Sequence, residues 1–171
     1  MRRSGRLGGR SGQQTVEFAV LYAGVILPLT FMTIFFAEIL WIWHSVVDFT
    51  RDGARYAATH CWQADGANVV SYMTTHVPLM IDMDQFQNGT AGITVQYYSK
   101  DPDSGSLTDF SCDAGECSAD CIPDAVAVSV TSYQFTRMAS FFRLPPVTMP
   151  DFRTSVAMQS AGCDEGGNCL P

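Results

Sequence analysis

Residues 12–37 read GQQTVEFAVLYAGVILPLTFMTIFFA. Residues 18–37 of that stretch are 20 positions without a charge, and a single carboxylate, Glu17, stands at their front edge. At ~1.5 Å per residue such a helix is ~30 Å long, the thickness of a bilayer's hydrocarbon core. The apolar region of a secretory signal peptide is shorter, roughly 7–15 residues, and ends at a small-residue cleavage site. Here apolar character continues through Ile39, Leu40, Trp41, Ile42 and Trp43. The stretch therefore predicts a transmembrane helix, with a buried core helix as the alternative. Trp41, Trp43 and His44 fit an interfacial aromatic belt at its far end.

The flanks give an orientation. Arg2, Arg3, Arg6 and Arg10 precede the run, and basic residues beside a span are held on the cytoplasmic side. That places the N-terminus inside and the remainder outside. Arg51 and Arg55 oppose this bias from the other flank, but Asp48 and Asp52 lie three residues before them and offset their charge. Within the run, Pro28 has no N–H and its ring opposes the carbonyl of Gly24. A kink or a locally melted turn is expected there, either as an ordinary transmembrane proline or as a helix that must loosen on leaving lipid.

Working outward, residues 1–12 (MRRSGRLGGRSG) have too little apolar surface to build a core and read as a processing leader. Residues 13–61 read as one long helix, apolar to Val47 and amphipathic beyond. Val47, Arg51, Ala54 and Ala58 share a face there, with Ala57 close by, so small residues would permit close helix approach. Residues 62–171 read as a separate small domain. Residues 67–77 carry apolar side chains at 69, 70, 73 and 77, a helical spacing. Residues 93–98 and 125–131 alternate as strands, the second continuing to Phe135, and residues 151–160 make a third. Phe152, Thr154, Val156 and Met158 would share one face of that third strand. The fold class expected is α+β: a long N-terminal transmembrane helix, then a short helix and a three-stranded antiparallel sheet.

The chain carries a net charge of −7, and losing residues 1–12 would remove four arginines and make it more acidic. An acidic outer domain without a basic patch argues against nucleic acid as a partner. Six cysteines, Cys61, Cys112, Cys117, Cys121, Cys163 and Cys169, all follow the apolar run. An even set in a small extracytoplasmic domain reads as a disulfide framework. Cys163 and Cys169 are placed to close a small loop, and one of Cys112, Cys117 and Cys121 to reach Cys61. The metal alternative lacks paired C-x₂-C elements. Residues 100–123 form a loop whose length calls for staples or a function.

A glycine, an acid at the fifth position after it and an apolar helix beginning at once resemble the class III signal of type IV pilin-like proteins. The match is Gly12 to Val20, GQQTVEFAV. Arg51 to Ala58, RDGARYAA, is similar to the stretch that closes the helix of TadE/TadF-type minor pilins of the tight-adherence (Tad, Flp) pilus. Valine-rich alternation, a proline-containing loop and a last strand near the C-terminus are a looser likeness. The resemblance implies a bacterial inner-membrane pseudopilin. A prepilin peptidase would cut after Gly12 on the cytoplasmic face. Gln13 would become the mature N-terminus and Glu17 the membrane-embedded acid, with other major or minor pilins as partners. The six cysteines and their long loop depart from that pattern.

The chemistry agrees with that implication. Cleavage after Gly12 creates an α-amino cation on Gln13. A carboxylate at lipid depth costs several kcal/mol unless neutralised or paired, and a neighbouring chain's amine is a suitable partner when helices stack with an axial stagger. The alternative is that Glu17 only marks the helix end at headgroup level. No nucleophile-elbow, phosphate-loop or H-E-x-x-H motif occurs, and no cofactor or enzyme activity is expected. Cys61 beside His60 lacks an orienting acid. Asp82 and Asp84 form no complete calcium loop. Asp101, Asp103 and Asp109 read as a solvated loop more readily than as a cation site.

Overall fold

The computed structural model describes residues 10–113, 115–141, 143, 145–158, 162, 163 and 169. Arg2, Arg3 and Arg6 of the leader, and the end of the third expected strand at 159–160, lie outside them. The chain divides into two compact units, residues 1–40 and 41–171.

In the first unit, α1 (Arg10–Leu21) passes into a π-helical turn (Tyr22–Ile26) and then into α2 (Leu27–Thr59). No residue from 12 to 40 is buried. The π turn lies just before Pro28, and the Leu27 N–H reaches back five residues to the Tyr22 carbonyl. A wider turn of this kind is one way to seat a proline ring against the preceding helix. Farther along, the Thr30 and Thr33 hydroxyls donate to the Ile26 and Leu29 carbonyls at 2.8 and 2.9 Å. Their polar atoms are thereby satisfied within the helix itself.

In the second unit, the C-terminal part of α2 becomes amphipathic. Ile42, Val46, Phe49, Thr50, Gly53, Ala54 and Ala57 are buried, the three-and-four spacing of a single stripe. This face is rotated from the expected one. Arg51 stays exposed, pairing with Asp48 at 3.2 Å, so the buried stripe passes beside it. Met73 of α3 (Ala67–Thr75) packs against Gly53: a Cβ there would overlap the Met73 sulfur. Tyr56 and Tyr72 stack across the same contact, with centroids 4.0 Å apart.

The sheet has four strands rather than the three expected, in the order β2-β1-β3-β6, all antiparallel. β1 is Gly92–Lys100, β2 Leu107–Asp109, β3 Ala125–Thr131 and β6 Phe152–Ala157. The extra strand, β2, lies inside the stretch expected to be loop; three residues are too few for alternation to register. The expected strand through Phe135 is also broken. Ser132 takes a positive φ of 58°, which turns the chain, and β4 (Gln134–Phe135) pairs instead with β5 (Val147–Thr148). Two short helices, α4 (Asp84–Gln87) and α5 (Arg137–Phe141), are also present among the described residues.

One sheet face carries the core. Val126, Val128 and Val130 of β3 are completely buried, and their partners Val156, Thr154 and Phe152 lie beside them on β6. Against this face sits α2: the Trp43 and Phe152 rings meet edge to face at 4.8 Å, and the Thr50 and Thr154 hydroxyls lie 3.2 Å apart. The opposite face is polar, with Gln96 accepting from the Tyr98 hydroxyl at 2.7 Å and Arg153 donating to that hydroxyl. Helices on one side and water on the other is the usual arrangement for an antiparallel sheet. Gly66 caps α3 with φ 59°, where a Cβ would strike the Val95 side chain; glycine satisfies both constraints there.

Candidate functional site

Two groups of residues carry the expected chemistry, and each belongs to its own unit. In the first, Gly12, Gln13 and Glu17 lie on consecutive turns of α1, all exposed. The Gln13 side-chain amide donates to Glu17 Oε1 at 3.0 Å, as an i,i+4 pair. Glu17 lines a shallow open hollow with Val16, Val20, Leu21, Gly24 and Val25. Glu17, Val20, Leu21 and Gly24 follow the helical repeat, so the acid and the side-chain-free glycine share one stripe. Around them Val16, Phe18, Val20 and Leu21 are each more than half exposed. Helix Gly12–Thr59 is 48 residues and, by length and composition, able to cross a membrane.

The second group is built around the cysteines. They pair Cys61–Cys117, Cys112–Cys121 and Cys163–Cys169. The first bond fastens the 110–121 loop to the residues just past α2. Polar contacts repeat the join: the Cys117 N–H donates to the Trp62 carbonyl at 3.2 Å, and the Ala64 N–H donates to Glu116 Oε1 at 2.9 Å. Asn68 anchors the other side, donating to the Cys61 carbonyl at 2.8 Å.

Under that loop lies an aromatic cluster the sequence reading did not single out. Trp62 meets Phe110 edge to face at 5.1 Å and Tyr97 at 6.3 Å. They border an open hollow of about 450 Å³ that Val95 and Asp109 also line. Trp62 Nε1 and the Tyr97 hydroxyl are buried without a hydrogen-bond partner among the described residues. The adjacency of Trp62 to Cys61 was the available signal. It gave no hint of Tyr97 and Phe110, because only folding brings them there.

Burial pushes the Tyr97 hydroxyl up to about 12; the nearby Gln63 backbone N–H, outside hydrogen-bonding geometry, lowers it and the Glu116 charge raises it further. A phenol whose folded value is raised binds its proton more tightly when folded. Its contribution to stability is thus complete below pH 10 and is lost as pH rises from about 10 to about 12. An alkaline ultraviolet titration should show a late-ionising tyrosine that disappears in Tyr97→Phe. An unchanged titration in that variant would refute the assignment.

The rest of the candidate chemistry is put to structural use. Cys61 is bonded to Cys117, and His60 Nδ1 lies 2.9 Å from the Tyr56 carbonyl, its ring stacked on Tyr56. Asp82 accepts from the Asp84 N–H at 3.1 Å and the Gln85 side-chain amide at 3.3 Å. Asp101 accepts the N–H groups of Ser104 and Asp103, which hold its carboxyl below the usual range. Among the described residues, no group of His, Cys, Asp and Glu is gathered to hold a metal. Compared with protein-family models, curated proteins and solved structures, the chain matches none.

Proposed function

We propose that this chain is a minor pilin or pseudopilin of the Tad type. On this reading it is anchored in the bacterial inner membrane by residues 13–47. A prepilin peptidase removes residues 1–12, and the mature chain then assembles into, or primes, a pilus with other pilins. The observation that carries the reading is the first unit's surface. From residue 12 to residue 40 it is an apolar helix with no buried residue, and it carries two acids: Glu17, five residues past a glycine, and Glu38 beyond the 20 uncharged residues. A soluble protein would have to cover such a surface; a bilayer and then neighbouring helices do so here. Support for an extracytoplasmic domain comes from its disulfides, which persist in oxidising compartments. Gly12 lies in the first turns of α1, where few hydrogen bonds must open for a peptidase to engage an extended backbone.

A second reading is favoured by the hollow at Trp62 and Tyr97: a single-pass anchored module that binds a ligand and keeps its leader. The N-terminal sequence, or the intact mass, of chain recovered from membranes separates the two. Material beginning at Gln13 is expected. Material that retains Arg2, Arg3 and Arg6 would overturn the pilin reading and leave the anchored module.

A further inference from the structure

We propose that the end of the domain where the chain enters it is a footing on a phospholipid bilayer, with Leu79 as the inserted side chain. This deepens the membrane-anchored reading and rests on it. The two ends of the domain are distinguished by the order in which α2 meets the sheet. Trp43 touches Phe152 at the start of β6, and Thr50, two turns on, meets Thr154. The level of Ile93, Val130 and Phe152 is therefore the entry end, and Lys100 with its partner Leu107 belongs to the far end.

Two connections are fastened at the entry end. One is the 78–83 loop and the other the segment that begins at Tyr133. The Tyr133 hydroxyl accepts from the Asp82 N–H at 2.8 Å, and the Gln85 side-chain amide donates to the Gln134 carbonyl at 2.8 Å. Ile42, Met80, Ile81 and Phe135 line one hollow between them. Ile42, Ile81 and Phe135 are buried, but three apolar side chains at this end stand outward: Leu79 is 97% exposed, Trp41 63% and Val147 47%. Single exposed apolar residues are ordinary. These are grouped where Trp41 directly follows the apolar run in the chain.

One cation stands beside these side chains. Arg137 reaches to within 3.4 Å of the Met80 sulfur, placing a guanidinium beside an apolar loop. Cations above inserted apolar side chains match phosphate headgroups over acyl chains. Three carboxylates share this end: Asp82 accepts hydrogen bonds from its own loop, Asp84 lies exposed in the first turn of α4, and Asp151 accepts from the Ser132 N–H, so the outward apolar side chains and not net charge carry the footing.

The test places a photoreactive benzophenone amino acid at Leu79, Leu107 or Leu29 in the full-length chain. The chain is reconstituted into phosphatidylethanolamine–phosphatidylglycerol vesicles and irradiated. All three positions are exposed, so the substitutions leave packing alone. The expected result is a mass increase of one phospholipid at Leu29 and at Leu79, and none at Leu107. Lipid at Leu29 without lipid at Leu79 overturns the footing and leaves the anchor standing. No lipid at Leu29 overturns the anchor, and the footing with it. A protein adduct at Leu79, or equal lipid labelling at Leu107, also overturns the footing.

Discussion

A chain carrying Glu17→Ala is expected to enter the membrane, lose residues 1–12 normally and then fail to assemble. Alanine leaves the 20 uncharged residues intact and adds no cost to insertion. What it removes is the only acid on the stripe that runs to Gly24. Within one chain the Gln13 side-chain amide occupies Glu17 Oε1. That bond is neutral on the donor side. A neighbour's α-amino group would replace it with an ion pair in which donor and acceptor are both charged. Removing one partner of a desolvated ion pair costs about 3–5 kcal/mol. At ~1.4 kcal/mol per decade, association should weaken about a hundredfold or more. Glu17→Gln separates two explanations, since it keeps the shape and a hydrogen-bonding oxygen but not the charge. Pilus-subunit crosslinking in membranes is the readout. Wild-type crosslinking by the Gln variant would sink the ion pair and leave only a hydrogen-bonded register; wild-type crosslinking by the Ala variant would remove Glu17 from assembly altogether.

How much of this was legible depended on the length of each signal. The apolar run and its edge acid are long and local, and the helix follows them. The alternation of 125–131 shows in β3, and in β6 Phe152, Thr154 and Val156 are each better covered than Arg153, Ser155 and Ala157. Short or non-local features were not legible. β2 is three residues whose partners on β1 lie about nine positions earlier. The break after Thr131 depends on Ser132 adopting a left-handed conformation, which few residues other than glycine advertise. The buried stripe of α2 was misplaced because small residues occur on two adjacent faces. Only the tertiary contacts of Phe49 with Phe86 and of Gly53 with Met73 choose between them. The grouping of Trp62, Tyr97 and Phe110 joins three distant segments and had no sequence period to reveal it.

Removing the Cys61–Cys117 bond by the double substitution Cys61→Ala/Cys117→Ala is expected to destabilise the domain more than removing either other disulfide. The bond spans 56 residues, against 9 for Cys112–Cys121 and 6 for Cys163–Cys169. Loop-closure entropy grows with the logarithm of that span, so the chain-entropy model gives about 4 kcal/mol for the first and about 2–3 for the others. For a domain of this size 4 kcal/mol lowers Tm by about 15 °C. Local packing points the same way. Cys61 is 1% exposed, and the 110–121 loop it holds covers Trp62 and carries Glu116, which bonds Ala64. Freed of its staple, that loop keeps the internal Cys112–Cys121 bond, the Glu116–Ala64 and Phe110–Trp62 contacts and a few backbone hydrogen bonds, but no covalent tie to the end of α2. Substituting both cysteines leaves no odd thiol to form wrong pairs. Thermal melts of the three double variants in detergent rank the bonds directly. Equal losses for all three, or the greatest loss for Cys163→Ala/Cys169→Ala, would show that local strain or tail packing, and not closure of the long loop, holds the domain together.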